Sequence, residues 1–563
     1  MKSVVLIFVF YFTVFFAWGQ NNQNWHWKDF EKDSVHGISL QKAYQLLSSY
    51  SLTPSPILVA VIDGGIDTNQ LDLKNLLWTN PKEIPNNKID DDQNGYVDDV
   101  HGWNFLGGKD GRNIDKADAE KTRIYHQLKS KFENKIIDTL ALNALEKKQY
   151  ANWQEVNKEM EFSAQEAANL QYFQMATNAL KKIGANIIKD MGDSNFTTNQ
   201  LEPYQPIGRI AFQAKLSFLR TVNILGIDKS TPFPDIIQDL KEYIDSKEKA
   251  SNAKEINMGN IREDIVKDAY NNFSDRYYGN NDVTGPNARH GTHVAGLVAS
   301  YPDSSWQSNP LYPPLKIMAI RAIPDGDEYD KDVALAIRYA VDNGAKIINM
   351  SFGKSFSPQQ IWVDSAIRYA ASKDVLIIHS AGNEFYNLDE KNVFPNPYSS
   401  QLNDSAKNIL TVAASSDDLV GESILTDFSN YGPKIVDVLA PGNKIYSTLP
   451  GKHNHGYLSG TSMAGPIVSN IAALIRSYFP MLTALEVKDI IMKSVWKPTD
   501  KEMSFAVPQR DRSKTLSAIA QSGGIVNAAN AIALAKIMAS NPATKSNKKK
   551  RTNNEELKTI FAQ

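Results

Sequence analysis

Residues 57–67 read ILVAVIDGGID. An unbroken apolar run, rich in β-branched residues, stops at Asp63 and is followed by Gly64 and Gly65. A run that is apolar on both of its faces predicts a strand covered on both sides, as in a parallel sheet flanked by helices. A carboxylate at the carboxyl end of such a strand faces the ligand side of an α/β sheet. The glycines allow a sharp turn and close approach of another backbone. Taken alone, Asp-Gly is also an ordinary turn.

Runs of the same kind recur at 315–320, 345–350, 375–379 and 409–413. Helical patterns lie between or after them, over 332–343, 359–373, 462–479 and 483–492. Val333, Ile337, Ala340 and Val341 share one face of the first, and Ile361, Ala366, Ile367 and Ala370 one face of the second. Strand and helix alternating in this way predict an α/β fold with a doubly wound, mostly parallel sheet. The chain has 563 residues, 42% of them hydrophobic, which is ample for one large core or several smaller ones.

The texture changes between residues 109 and 278. Lys, Glu, Asn and Gln dominate there, and strand-like runs are scarce. Leu170, Phe173, Ala176, Leu180 and Ile183 step by three or four, predicting an amphipathic helix that Gly184 ends. Residues 235–246 read similarly. The segment is expected to be a large helical insertion that decorates the surface. Residues 541–563 are polar and charged, the composition of a disordered, solvated tail.

The chain opens MKSVVLIFVFYFTVFFAWGQ. One lysine, an apolar run too short to span a membrane comfortably, and small residues Ala17 and Gly19 form the pattern of a signal peptide over 1–19. An exported protein, secreted or periplasmic, is expected, with no membrane span after cleavage. The formal net charge of −2 gives no reason to expect nucleic-acid binding. There is no cysteine, which excludes disulfides, a cysteine nucleophile and a thiolate metal site. Calcium is one way to fix the loops of a cysteine-free exported chain.

Three further segments carry chemistry. Residues 289–296 read RHGTHVAG and open a helical run. A helical metal pair wants histidines four apart with a glutamate; His290 and His293 are three apart without one. Metal binding is thereby disfavoured, and a general base or a packed residue stays open for His290 and His293. Residues 459–466 read SGTSMAGP, which places Ser462 at the start of a long helix. The orphan N–H groups of a helix start can donate to an oxyanion, although a serine there can also be a plain cap. In HSAGNE, residues 379–384, Asn383 follows a strand and a glycine. Its amide could be a second oxyanion donor, or it could simply be a turn asparagine. Asp63, His290, Asn383 and Ser462 occur in the order Asp, His, Asn, Ser, each at the edge of a predicted element.

VIDGGID, HGTHVAG and GTSMAGP, with INMSFG and AGNE, resemble the motifs of the subtilisin-like serine peptidases (subtilases, peptidase family S8). The resemblance covers about residues 54–107 and 279–539. It implies a serine endopeptidase with a parallel sheet of about seven strands and a discontinuous peptidase domain, 54–108 with 279–540. It implies an Asp63–His290–Ser462 triad, an oxyanion hole formed by Asn383 with the Ser462 N–H, and a substrate-pairing strand at Ser351, Phe352 and Gly353. Gly465 departs mildly from the Ala or Ser usual before the proline. Met463 adjoins the nucleophile and could couple activity to oxidation. The implied partner is a protein or peptide substrate, and the chain is expected to be a monomer without an organic cofactor. A catalytically silent peptide-binding or scaffold protein retaining the fold is the alternative; the intact catalytic positions argue against it.

Residues 88–99, KIDDDQNGYVDD, carry Asp90, Asp92 and Asn94 at the first three ligand positions of an EF-hand-like loop, with Gly95 at the turn. Tyr96 would offer its carbonyl, and Asp98 falls at the next ligand position. His101 stands where an EF-hand has a bidentate glutamate, so Asp99 or another group must complete a calcium site. His453 and His455 read as an exposed polar turn.

Asp63 and His290 are 227 residues apart, far more than is usual between these motifs in subtilases, and the insertion accounts for the excess. Residues 20–53 are too few for the usual inhibitory propeptide domain. This Trp-bearing segment (Trp25, Trp27) is expected to pack on the catalytic domain. A cap over the cleft is the functional role the insertion could fill; deleting 109–278 and comparing folding yield and cleavage of folded proteins would test it.

Overall fold

The computed structural model describes residues 22–227, 229, 231–300, 309, 311–399, 401–417, 424–497 and 515–540. The expected signal peptide and the polar tail from residue 541 lie outside them. The described chain divides into two compact units: Asp118–Asn260, and a larger one built from the residues on either side.

The larger unit is organised by a seven-stranded sheet. Its strands are β1 (Ile57–Asp63), β2 (Gly102–Asn104), β3 (Leu315–Arg321), β4 (Ile347–Met350), β5 (Leu376–Ser380), β6 (Ile409–Ser415) and β7 (Val438–Pro441). They lie in the order β2-β3-β1-β4-β5-β6-β7. Every pair is parallel, with Asp63 opposite Arg321 and Ile62 opposite Met350. Two antiparallel strands, β8 (Ile445–Thr448) and β9 (His455–Leu458), form a hairpin before the helix Thr461–Tyr478.

The apolar runs are explained by two cores. Ile57, Val59 and Val61 face one side of the sheet, where helices Leu40–Ser49, Arg289–Val298, Thr461–Tyr478 and Ala528–Ser540 pack. Ala60 and Ile62 face the other, beneath helices Asp330–Asp342 and Gln360–Ser372. Alternate residues of one strand thus feed different cores, so neither face tolerates polar residues. Ile114, Ala117, Ile265, Val266 and Tyr278 also join the second core, within the larger unit. The N-terminal segment belongs to the first: Trp25, Ile38, Leu40, Tyr44 and Leu47 are all buried there.

The smaller unit is helical, with helices Glu120–Phe132, Ala144–Glu159, Ala164–Met191, Arg209–Ile224 and Phe233–Asn252. Leu180, Ile187, Phe196, Phe218, Phe233 and Ile236 form its own core. Gly184 does not end a helix here. The helix runs from Ala164 to Met191 and stops at Gly192, which adopts φ +73°. Gly184 instead makes room for a neighbour: a Cβ there would lie 2.1 Å from the Phe233 ring. The close packing of two helices, and not a chain break, explains this glycine.

Candidate active site

The carboxyl end of β1 delivers Asp63, which is 3% exposed. Its Oδ1 accepts from the Gly64 N–H at 2.7 Å. Buried Arg321, opposite in register, donates from Nε to the Gly64 carbonyl at 2.8 Å and from Nη1 to Asn104 Oδ1 at 3.1 Å. The turn behind Asp63 is therefore held by β3 and by the residue that ends β2. Burial pulls the Arg321 guanidinium down to about 10, leaving it a cation.

His290 sits in the first turn of helix Arg289–Val298. Its Nδ1 lies 2.8 Å from Asp63 Oδ1 and 3.0 Å from Oδ2. Gly291 permits this approach: a Cβ there would lie 2.2 Å from the Gly65 carbonyl and 3.1 Å from Asp63 Oδ1. Desolvation lowers the basicity of the His290 ring, but the adjacent Asp63 charge and hydrogen bond outweigh it and hold the ring above the ordinary histidine range. His293 has a different task. It is fully buried, and its Nε2 lies 3.0 Å from the Ile445 carbonyl and 3.2 Å from that of Gly456. Two carbonyl acceptors require the proton on Nε2. Burial depresses its pKa to about 3, so the ring is a neutral tie to the β8–β9 hairpin. Ser447 Oγ and Thr448 Oγ1 complete that tie by donating to the His293 and Thr292 carbonyls.

Ser462 lies in the first turn of helix Thr461–Tyr478. Its Oγ donates to the Ser351 carbonyl at 3.1 Å, and Ser351 Oγ donates to the Ser462 carbonyl at 3.0 Å. Among the described residues no hydrogen bond joins Ser462 to His290. Asn349 Nδ2 donates to Ser351 Oγ, and Ser469 Oγ to Asn349 Oδ1. The residues after β4 are thereby fixed to the serine helix. Phe352 is tied on its other side, where His379 Nε2 lies 3.0 Å from its carbonyl. Gly353 is exposed.

Asn383 follows β5 and Gly382. Its Oδ1 accepts from the Thr461 N–H at 2.9 Å and from Thr461 Oγ1 at 3.0 Å. Thr461 Oγ1 in turn accepts from the Gly382 N–H at 3.0 Å. With Oδ1 so occupied, the orientation of the amide is set. A Cβ built on Gly460 would lie 3.4 Å from Asn383 Nδ2 and 3.6 Å from the Ser462 nitrogen. These two donors therefore border one spot at the helix start. Thr461, the Ser351 hydroxyl, Asn349 and Arg321 hold the site; the sequence marks Ser351 only as part of the substrate strand, and Thr461 could have been noticed as the neighbour of Ser462. Gly465 also has a local reason: a Cβ there would lie 2.8 Å from Ser380 Oγ, which donates to the Thr461 carbonyl.

The acidic loop groups Asp90 and Asp92 with a third carboxylate, Glu83, with ligand atoms within 4.8 Å of one another. Asp90 accepts from the Asn94 and Gly95 N–H groups, and Glu83 Oε1 from those of Asp91 and Asp92. Glu83 Oε2 is buried with no hydrogen-bond partner among the described residues, and burial raises the carboxyl pKa. Asn94 Oδ1 accepts from the Tyr96 N–H, and its Nδ2 donates to Asp99. Asp98 turns away, accepting from the Asn87 and Lys88 N–H groups. Asp99 is buried against Tyr339, Asn80 and Asn94, and burial pushes it up to about 6. A hard, oxygen-seeking cation fits clustered carboxylates with an orphaned oxygen. His453 is not joined to any metal-like cluster among the described residues, and His455 Nε2 pairs with Asp72 at 2.9 Å.

The subtilase family profile matches residues 55–513, and the chain belongs to that family. The cell wall-associated protease of Bacillus subtilis (strain 168) is 29% identical over 309 residues, covering 54% of this chain and 29% of that protein. Thermitase of Thermoactinomyces vulgaris is 36% identical over 199 residues, 35% of this chain and 64% of its own. The chain thus spans less than two thirds of each of these relatives. Among solved structures, the prenylagaramide maturation protease PagA matches 44% of this chain and 82% of its own at 28% identity, with a TM-score of 0.35. Among the described residues no helix is long and apolar enough to cross a membrane.

Proposed function

We propose that this protein is an exported serine endopeptidase acting on protein or peptide substrates. The observation that carries the reading is the Asp63–His290 pair in the same fold as a helix-start serine whose neighbouring amide, Asn383, is locked by Thr461. In this reading Ser462 Oγ leaves the Ser351 carbonyl and turns to His290 Nε2. It then attacks the peptide carbonyl carbon while His290 takes its proton. Asp63 stabilises the imidazolium and fixes the tautomer with the proton on Nδ1. Asn383 Nδ2 and the Ser462 N–H receive the negative charge on the carbonyl oxygen. His290 returns the proton to the leaving amine, and water releases the acyl group by the same steps in reverse. Residues 351–353 offer backbone for pairing with an extended substrate, which reads shape more than sequence.

Glu83, Asp90 and Asp92 would hold a calcium ion, which supplies loop stability there and takes no part in the reaction. Labelling the purified chain with a fluorophosphonate, with Ser462→Ala as control, tests the function. Stoichiometric labelling lost in the variant supports a serine hydrolase. Peptide binding without labelling identifies the silent alternative.

A further inference from the structure

The first described segment reaches the serine through a short relay. Trp25 is fully buried, and its Nε1 donates to the carbonyls of Asn443 (3.1 Å) and Lys444 (3.4 Å). Those residues form the turn between β7 and β8. The same turn grips the two residues that lead to the serine helix. Lys444 N–H donates to Ser459 Oγ at 2.8 Å, and Ser459 Oγ donates to Asn443 Oδ1 at 3.2 Å. The Gly460 N–H donates to the Gly442 carbonyl at 2.8 Å. Thr461, with its double bond to Asn383, comes next, and then Ser462.

The segment that carries Trp25 is itself anchored. The His36 N–H and Nδ1 both lie 2.7 Å from Asp417 Oδ2, just beyond β6. The His36 ring packs against Phe30 and Trp496, which also touch each other, in a three-ring cluster. The Ile38 carbonyl accepts from the Ala528 N–H, and Asn527 Nδ2 donates to Ser39 Oγ. A ring buried this way could simply fill the core. The Trp25 N–H, however, is spent on a turn that also holds residues 459 and 460, besides its own ties back to Ser415 and Ser416 at the end of β6.

We propose that Trp25 is a positioning residue for the nucleophile, and that segment 22–39 is a working part of the active enzyme and not a removable leader. Trp25 sets the 442–444 turn, the turn sets Ser459 and Gly460, and these set Ser462 relative to Asn383. The inference rests on Ser462 being the nucleophile. Residues 351–353 make no hydrogen bond to Trp25, to the 442–444 turn or to residues 459 and 460 among the described residues, and meet the relay only at its end through Ser351 and Ser462, so the loss should fall on kcat more than on KM.

The test uses the full chain. Trp25→Phe keeps an aromatic filler, removes the donor and gives up part of the ring's volume, which Ser459→Ala does not. In Trp25→Phe, kcat per titrated site falls about tenfold, short of the 10²-fold that an ångström of misplacement can cost, while KM changes less. Fluorophosphonate labelling slows by the same factor. Ser459→Ala, at an exposed position, gives the same pattern, and the double variant is no worse than the poorer single because both act on one relay. Unchanged kcat per site in Trp25→Phe, or in Ser459→Ala should Trp25→Phe not fold, overturns the proposal, as do additive effects or a loss confined to the number of titratable sites. Failure of the unsubstituted chain to label overturns the serine-nucleophile reading itself, and this inference with it.

Discussion

His290 Nδ1 lies 2.8 Å from Asp63 Oδ1, although 227 residues separate them. The smaller unit is spliced between the two motifs, yet the pair meets through elements of the larger unit alone: β1, the glycine after His290, and the β3 arginine behind the turn. Catalysis by His290 requires the neutral ring, so kcat/KM should rise as pH climbs through its pKa. Because Asp63 holds that pKa above the ordinary 6.5, the inflection should lie above 6.5. Asp63→Asn leaves desolvation unopposed, which should move the inflection below 6.5. It should also lower kcat by about 10⁴, since the wrong tautomer is then favoured. A pH–rate profile of both proteins measures this; coincident inflections would refute the coupling.

Asn383 should matter through its amide nitrogen alone, because Thr461 occupies its oxygen. Asn383→Ala is expected to lower kcat by about 10²–10³ with little change in KM, the scale of loss known for removing one oxyanion donor in subtilisin. Thr461→Val removes one of the two bonds that orient the amide and should give a smaller loss of the same kind. Steady-state kinetics on a peptide substrate distinguishes these outcomes. A Thr461→Val loss in KM alone would show that the threonine orients something else.

Much of this site could be read along the chain because β-strand ends and helix starts carry local signatures. The run ending in Asp63 was apolar on both faces because two separate cores cover it. The strands Gly102–Asn104 and Val438–Pro441 are too short to show a period, and they were not foreseen. The family motif singles out His290 as the base, but what occupies His293 comes from the β8–β9 hairpin, more than 150 residues away, and does not show in the sequence. Glu83 could not be found from the loop pattern because it reaches in from outside it. Gly184 misled because a glycine that ends a helix and one that admits a neighbouring ring look the same in one dimension.

The buried histidines should make the fold acid-sensitive. Burial holds His26 and His293 near 3 and His379 near 4. Each stays neutral when folded but binds a proton near 6.5 when unfolded, so its stability contribution is full above 6.5 and lost as pH falls toward its folded value. Each such group changes stability by about 1.4 kcal/mol per pH unit within that window. His290 has the opposite sign: its raised pKa stabilises below 6.5, and the contribution is lost as pH rises through the folded value. Melting temperatures of the Ser462→Ala variant, which cannot digest itself, should therefore drop from pH 6.5 to 4.5. His379→Asn should make that drop shallower. An unchanged slope would mean that His379 is not neutral in the fold.

The carboxylates at Glu83, Asp90 and Asp92 give a prediction whose sign reverses with calcium. Three carboxylates within 4.8 Å repel one another, and Glu83 Oε2 has no hydrogen-bond partner among the described residues to offset its burial. A bound cation turns that liability into stabilisation of about 2.7 kcal/mol when its concentration is 100-fold above Kd. In the Ser462→Ala background, a calcium chelator should thus lower the melting temperature by a few degrees. Glu83→Gln removes one charge and one ligand. With calcium present it should be less stable than its parent; with chelator present it should be as stable or more so, because the repulsion is relieved. Differential scanning calorimetry of both proteins in both conditions gives the four values required. If the chelator moves neither protein, or if Glu83→Gln is destabilising by the same amount in both conditions, the three carboxylates do not form a calcium site.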